Sequence, residues 1–202
     1  MGLKRIGIFG GSFDPLHCGH ISIAKLARKQ FNLYTVYIVP VLDQWLKGHD
    51  LFAGAEDRLD MARAAVTDIE GIEVSDIDIR IGTPTYTINT IINMRKNYKH
   101  IGEIYVIFGD DTMETIGNWY RSEDLSKLAN IVFYKRKNSN AILDTNLYPF
   151  TSPPVFIDGP YIDLSSTKIR NLLSLGLSVG GLVHPKVEEI IIKRNLYGGI
   201  RS

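Results

Sequence analysis

A chain of 202 residues can build one domain with a sizeable core, and its 45% hydrophobic and 22% charged content is ordinary for a globular protein. Lysine plus arginine (23) nearly cancels aspartate plus glutamate (22), which excludes a global field that recruits nucleic acid or an anionic membrane; any attraction for an anion must be local. The single cysteine excludes an intramolecular disulfide and a cysteine-rich zinc site. No apolar run is long enough to span a bilayer, and Met1-Gly2-Leu3-Lys4-Arg5 leads into a strand rather than a signal-peptide core, so a cytoplasmic setting is expected. In chain order, Arg5–Phe9 reads as a buried strand, Gly19–Phe31 as an amphipathic helix and Thr35–Pro40 as a second β-branched strand. Ala55–Val66 has helical spacing, with Leu59, Ala62 and Val66 on one face. Ile72–Ser75 and Ile77–Ile81 read as a strand that bends or stops. Tyr86–Tyr98 is helical, with Ile88, Ile91, Ile92 and Arg95 at turn spacing. Ile104–Phe108, Ile131–Tyr134 and Val155–Ile157 read as short strands, Lys135–Thr145 as a polar surface loop. Ser166–Leu173 and Pro185–Leu196 close the chain as helices.

Strands alternating with helices predict an α/β fold: one Rossmann-like domain over 1–202, with a mainly parallel sheet and helices on both faces. Ligands of such sheets bind beyond the carboxyl ends of the strands, where strand order reverses. Gly10–His20, Val41–Lys47, Gly109–Asp111 and Asp163–Thr167 all follow apolar strands or lead into helices, so all four can share that edge.

The densest chemistry is Gly10-Gly11-Ser12-Phe13-Asp14-Pro15-Leu16-His17-Cys18-Gly19-His20, directly after the first strand. Glycines at a strand-to-helix turn let the backbone approach a phosphate, and the helix N-terminus adds partial positive charge. A bare Gly-Gly fits an empty turn equally well; two imidazoles three residues apart tip the reading toward phosphate. Cys18 lies between the histidines where it cannot easily share a metal with them, so no metal site is expected. The stretch lacks Gly-x-x-x-x-Gly-Lys-Ser/Thr, which argues against a P-loop ATPase, and lacks Gly-x-Gly-x-x-Gly, which argues against a dinucleotide-binding dehydrogenase.

This stretch resembles the signature of the His-x-Gly-His nucleotidyltransferase superfamily, and within it the nicotinate and nicotinamide mononucleotide adenylyltransferases, most of all the nicotinate enzymes of bacteria. The resemblance implies that His17 and His20 contact the phosphates of ATP in the turn formed by Gly10, Gly11, Ser12 and Phe13. It also implies a second element near the C-terminus, matched by Leu164-Ser165-Ser166-Thr167-Lys168-Ile169-Arg170. Read alone, that run is a helix N-cap with a solvated arginine. Hydroxyls of Ser165, Ser166 and Thr167 with the Arg170 guanidinium at a helix start also suit a β,γ-phosphate clamp. Lys47, seven residues after Pro40, stands where the family carries a phosphate-binding lysine, although Val41-Leu42-Asp43-Gln44-Trp45-Leu46 departs from the usual loop. Gly109-Asp110-Asp111 resembles the family's Gly-x-Asp, which places Asp111 at ribose hydroxyls; the same acids could cap the next helix. Trp119-Tyr120-Arg121 resembles the segment that stacks on the pyridine ring, and Tyr86-Thr87 another substrate-side element.

The resemblance, from about Lys4 to Tyr197, implies transfer of AMP from ATP to nicotinate mononucleotide, with Mg2+ delivered on ATP and neither nucleic acid nor membrane as partner. Nicotinamide mononucleotide as the preferred acceptor, and phosphopantetheine adenylyl transfer, are the alternatives; a non-catalytic nucleotide sensor has no need of the full phosphate set. A class I aminoacyl-tRNA synthetase fragment would want a lysine-rich second motif and a basic surface. The sequence leaves a homo-oligomer open.

Overall fold

The computed structural model describes residues 2–42, 51–109, 112–134, 149–160 and 162–198. Its sheet has six parallel strands, β1 (Lys4–Gly11), β2 (Thr35–Pro40), β3 (Ile72–Val74), β4 (Ile101–Gly109), β5 (Asn130–Tyr134) and β6 (Val155–Ile157), in the order β3-β2-β1-β4-β5-β6. Strand order reverses between β1 and β4, where Phe9 lies beside Ile107, while Gly11 pairs with Pro40 of β2. The helices are α1 (Cys18–Gln30), α2 (Ala55–Val66), α3 (Ile77–Ile81), α4 (Thr87–Asn97), α5 (Ser122–Leu128), α6 (Ser166–Ser174) and α7 (Pro185–Lys193).

Period-two alternation along β1 divides the core. Ile6 and Ile8 point to one face and join Ile88, Ile91 and Met94 of α4 and Leu125 of α5. Phe9 points to the other and joins Ala24 and Ala27 of α1, Met61 and Ala62 of α2, Ile169 of α6 and Ile191 of α7. A sheet with helices on both faces must be apolar on both, which is why its strands read as near-continuous hydrophobic runs.

Two local expectations are corrected. Ile77–Ile81 is helix α3, not a bent strand: the alternation of Ile-Asp-Ile-Arg-Ile has period two, but only Ile77 and Asp78 are buried. An Asp76–Arg80 ion pair at 2.8 Å spans the turn, and Gly82 at φ 86° ends it. Ser122–Leu128 is a helix that the periodicity did not reveal, because only Ser122 and Leu125 of its seven residues are buried. Ile92 faces outward at 41% exposure, so the buried face of α4 is Ile88, Ile91 and Met94. The Lys135–Thr145 loop lies outside the described residues.

Candidate active site at the carboxyl edge of the sheet

Strand β1 ends at Gly11, and six residues later His17 caps α1. The cap is reciprocal: His17 Nδ1 accepts the His20 backbone N–H, and His20 Nδ1 accepts that of His17, both at 3.3 Å. The two rings stack with centroids 3.6 Å apart and planes 21° from parallel. Because each Nδ1 is an acceptor, each neutral ring carries its proton on Nε2. The N–H groups at the helix start are less free than the sequence suggests, since that of Cys18 donates to Leu182 O at 2.9 Å and that of His20 to His17.

The motif's glycines have separate reasons. A Cβ on Gly19 would lie 3.0 Å from His17 Nδ1 and 2.9 Å from the Ile162 methyl, so a side chain there would push the imidazole out of its cap. Among the described residues a Cβ on Gly10 would meet nothing within 4 Å, so none of them demands a glycine there. Phe13, the fourth residue of the turn, is buried. Its ring is 2% exposed and packs edge-on beneath His20 at 5.0 Å and against Phe9 at 5.5 Å, which leaves only its backbone for a nucleotide. Ser12 offers its carbonyl inward, to Arg58.

Helix α6 brings the second motif to the same place. Ser165 is its N-cap, its hydroxyl accepting the Lys168 N–H at 3.2 Å. Ser166 Oγ donates to Pro15 O at 2.9 Å, and Arg170 Nη1 donates to Asp14 O at 2.8 Å. Arg170 Nη2 also reaches Thr167 Oγ1 at 3.2 Å. Two segments separated by some 150 residues thus form one surface around the histidine turn.

Four residues of this surface were not singled out from the sequence. Asp14, 2% exposed, accepts the N–H of Phe52 on Oδ2 at 2.8 Å, and on Oδ1 the N–H of Ala53 at 3.2 Å and the hydroxyl of Tyr197 at 2.6 Å. Arg58, fully buried, donates to the carbonyls of Ala53, Ser12 and Leu42 at 3.2, 2.7 and 3.1 Å. Burial lowers the Arg58 pKa, and the nearby Asp14 charge opposes that shift. Burial raises the Tyr197 pKa, Asp14 adding to it, so Tyr197 stays a donor. Phe52, 70% exposed, lays its ring 4.3 Å from the Arg170 guanidinium carbon. One of these was legible: Arg58 shares the buried face of α2 with Leu59, Ala62 and Val66, where a cation needs a purpose. Tyr197 was not, because its partner is 183 residues away.

On the substrate side, Gly109 ends β4 beside the switch point, and its carbonyl accepts the Thr112 hydroxyl at 2.7 Å. Tyr86 precedes Thr87 at the start of α4 and stacks on Tyr120 at 4.5 Å, which joins the two segments that the sequence assigned to the mononucleotide. Trp119 packs edge-on against Phe108 at 5.3 Å, and its Nε1 is buried without an acceptor among the described residues. Lys47 and Asp111 lie outside the described residues. Among the described residues there is no group of three or more His, Cys, Asp or Glu that could hold a metal, and no helix long and apolar enough to cross a membrane.

A Rossmann-like sheet whose switch point carries paired imidazoles, with a hydroxyl-and-arginine helix start bound to the same turn, defines a nucleotidyltransferase, and residues 8–172 match the Cytidylyltransferase-like family. Relatives named as probable nicotinate-nucleotide adenylyltransferases include one from Caldicellulosiruptor saccharolyticus, 34% identical over 96% of this chain and 98% of its own. Another, from Herpetosiphon aurantiacus, is 36% identical over 96% of this chain and 99% of its own. Within the wider class, the chain belongs to the nicotinate-nucleotide adenylyltransferase family. Its fold is that of Plasmodium falciparum nicotinic acid mononucleotide adenylyltransferase complexed with NaAD, with a TM-score of 0.75 at 22% identity over 98% of this chain and 100% of that one.

Proposed function

We propose that this chain transfers AMP from ATP to nicotinate mononucleotide, forming nicotinate adenine dinucleotide and pyrophosphate. The observation that carries the reading is the meeting of the two motifs at the histidine turn, in a chain of which 96% aligns with a relative of the family. An ionised phosphate oxygen of the mononucleotide attacks the α-phosphorus of ATP. The bond from that phosphorus to the bridging oxygen breaks, and pyrophosphate leaves with the electron pair. The attacking oxygen already bears charge at neutral pH, so the reaction needs alignment and charge stabilisation rather than a strong base.

In this reading the Nε2–H groups of His17 and His20 donate to phosphate oxygens, and Arg170 with Ser166 and Thr167 receives the departing pyrophosphate. Gly10, Gly11 and the backbone of Ser12 and Phe13 bring the chain against the nucleotide, and Gly109 borders its ribose. Ser165 contributes by capping α6. Tyr86, Thr87, Trp119 and Tyr120 form the pyridine side. Mg2+ enters as part of the MgATP substrate, and the work is done by one nucleotidyltransferase domain over 1–202, without nucleic acid or membrane.

Steady-state kinetics with nicotinate and nicotinamide mononucleotides on one preparation tests the reading. A higher kcat/KM for the acid is expected. A higher value for the amide would overturn the substrate assignment, and no pyrophosphate release with either would overturn adenylyl transfer.

A further inference from the structure

The proposed reaction uses Arg170 but gives no task to the residues that hold it. Its guanidinium rests on two parts of the N-terminal half, the carbonyl of Asp14 at 2.8 Å and the ring of Phe52 at 4.3 Å. Both depend on the Asp14 carboxylate, which sits beside that carbonyl and binds the Phe52 and Ala53 N–H groups. The shortest bond to that carboxylate, 2.6 Å, comes from the Tyr197 hydroxyl. Tyr197 lies in the 3₁₀ turn Leu196–Gly198 with φ 62°, a left-handed backbone that bulky side chains rarely adopt. Phe13, directly before Asp14, is left-handed too at φ 47°. Both ends of the contact therefore hold unfavourable backbone angles where the contact is made. The turn is tied down just before it, where Arg194 pairs with Asp57 at 2.7 Å and Asp60 at 2.8 Å on α2.

We propose that Tyr197 and Asp14 form a positioning pair for Arg170, with the C-terminal turn locking together the Asp14 carbonyl and the Phe52 ring that set the guanidinium. Neither residue touches substrate; each acts by limiting the orientations of Arg170. The proposal rests on the adenylyl-transfer reading for its kinetic readout.

The test is a double-mutant cycle of Tyr197→Phe with Arg170→Lys, read as kcat/KM for ATP, KM for the mononucleotide, and melting temperature. Tyr197→Phe alone should lower kcat/KM for ATP by about tenfold, because a misplaced guanidinium loses alignment with the leaving group. KM for the mononucleotide should stay within about twofold, and in the Arg170→Lys background the same change should cost no more than about twofold further. A purely structural tyrosine would lower stability and act equally in both backgrounds; equal factors, or an unchanged Tyr197→Phe enzyme, overturn the proposal. Should Tyr197→Phe fail to fold, Arg194→Ala replaces it, since that side chain is 40% exposed, anchors the same turn and does not contact Arg170, and full additivity with Arg170→Lys overturns the proposal equally. Absence of turnover in the wild-type enzyme would reject the functional reading alone. The coupling is then read from ATP dissociation constants of the same four proteins, where additivity again rejects the pair.

Discussion

His17 and His20 show how much one residue's surroundings decide. Their spacing places two imidazoles at a helix start, but only the reciprocal cap determines which nitrogen faces outward. His20→Ala removes one donor and the acceptor that holds the His17 N–H, so kcat/KM should fall by roughly 10²-fold or more with the far-UV circular dichroism unchanged. Near-normal turnover in a folded variant would exclude His20 from the site. Long-range proton–nitrogen NMR of the wild-type enzyme should show both rings protonated at Nε2; an Nδ1–H pattern would contradict the cap. Trp119 is more ambiguous from sequence than in the structure, where one edge is fixed against Phe108. If its indole carries the pyridine ring, Trp119→Ala should weaken both mononucleotides by roughly 1–3 kcal/mol, the scale of aromatic–base stacking, with ATP binding nearly unchanged. An equal loss of ATP affinity would make Trp119 a packing residue only.

At the scale of elements, α3 and α4 meet through a buried polar contact. Thr90 Oγ1 donates to Asp78 Oδ1 at 2.6 Å, and Thr90 also reaches the carbonyl of Tyr86 at the start of α4. Burial moves the Asp78 carboxyl from its ordinary 3.8 up to about 6, the Thr90 hydrogen bond opposing that shift. A raised carboxyl pKa means the folded state favours the neutral form. The associated stability is full below the unfolded value of 3.8 and is lost as pH rises through 6. Asp78→Asn keeps the acceptor for Thr90 and removes the charge. Its unfolding free energy should exceed that of the wild type by of order 1–3 kcal/mol at about pH 7, and the gap should close toward about pH 4. A gap that widens toward acid would show that the carboxylate is favoured in the folded protein. This element was misread from sequence because alternation over five residues does not distinguish a short helix from a strand. The longer helices α1, α2 and α4 were legible because several turns of period 3.6 leave an unambiguous stripe.

The whole molecule is a sheet that buries both faces, and its central strand leaves little room. A Cβ on Gly7 would stand 3.0 Å from methyls of Leu33 and Val36 and 3.3 Å from one of Ile107. Gly7→Ala should therefore destabilise by about 1–3 kcal/mol through overpacking, read as a lower urea midpoint. An unchanged midpoint would show that this face of the sheet yields more easily than its contacts suggest. Fold class and the order of the strands were legible in the sequence alone, because they rest on periodicity and turn chemistry, and the glycine-histidine turn and the Ser165–Arg170 cap were visible as contiguous runs. The tertiary structure decided what depends on distant partners: that Arg170 rests on Asp14, that Phe13 belongs to the core, that Arg58 donates to the carbonyls of Ser12 and Leu42, and that Tyr197 closes on Asp14 across 183 residues. No local pattern encodes such contacts, because each exists only once the parallel sheet has brought β1 and the last helices to the same edge.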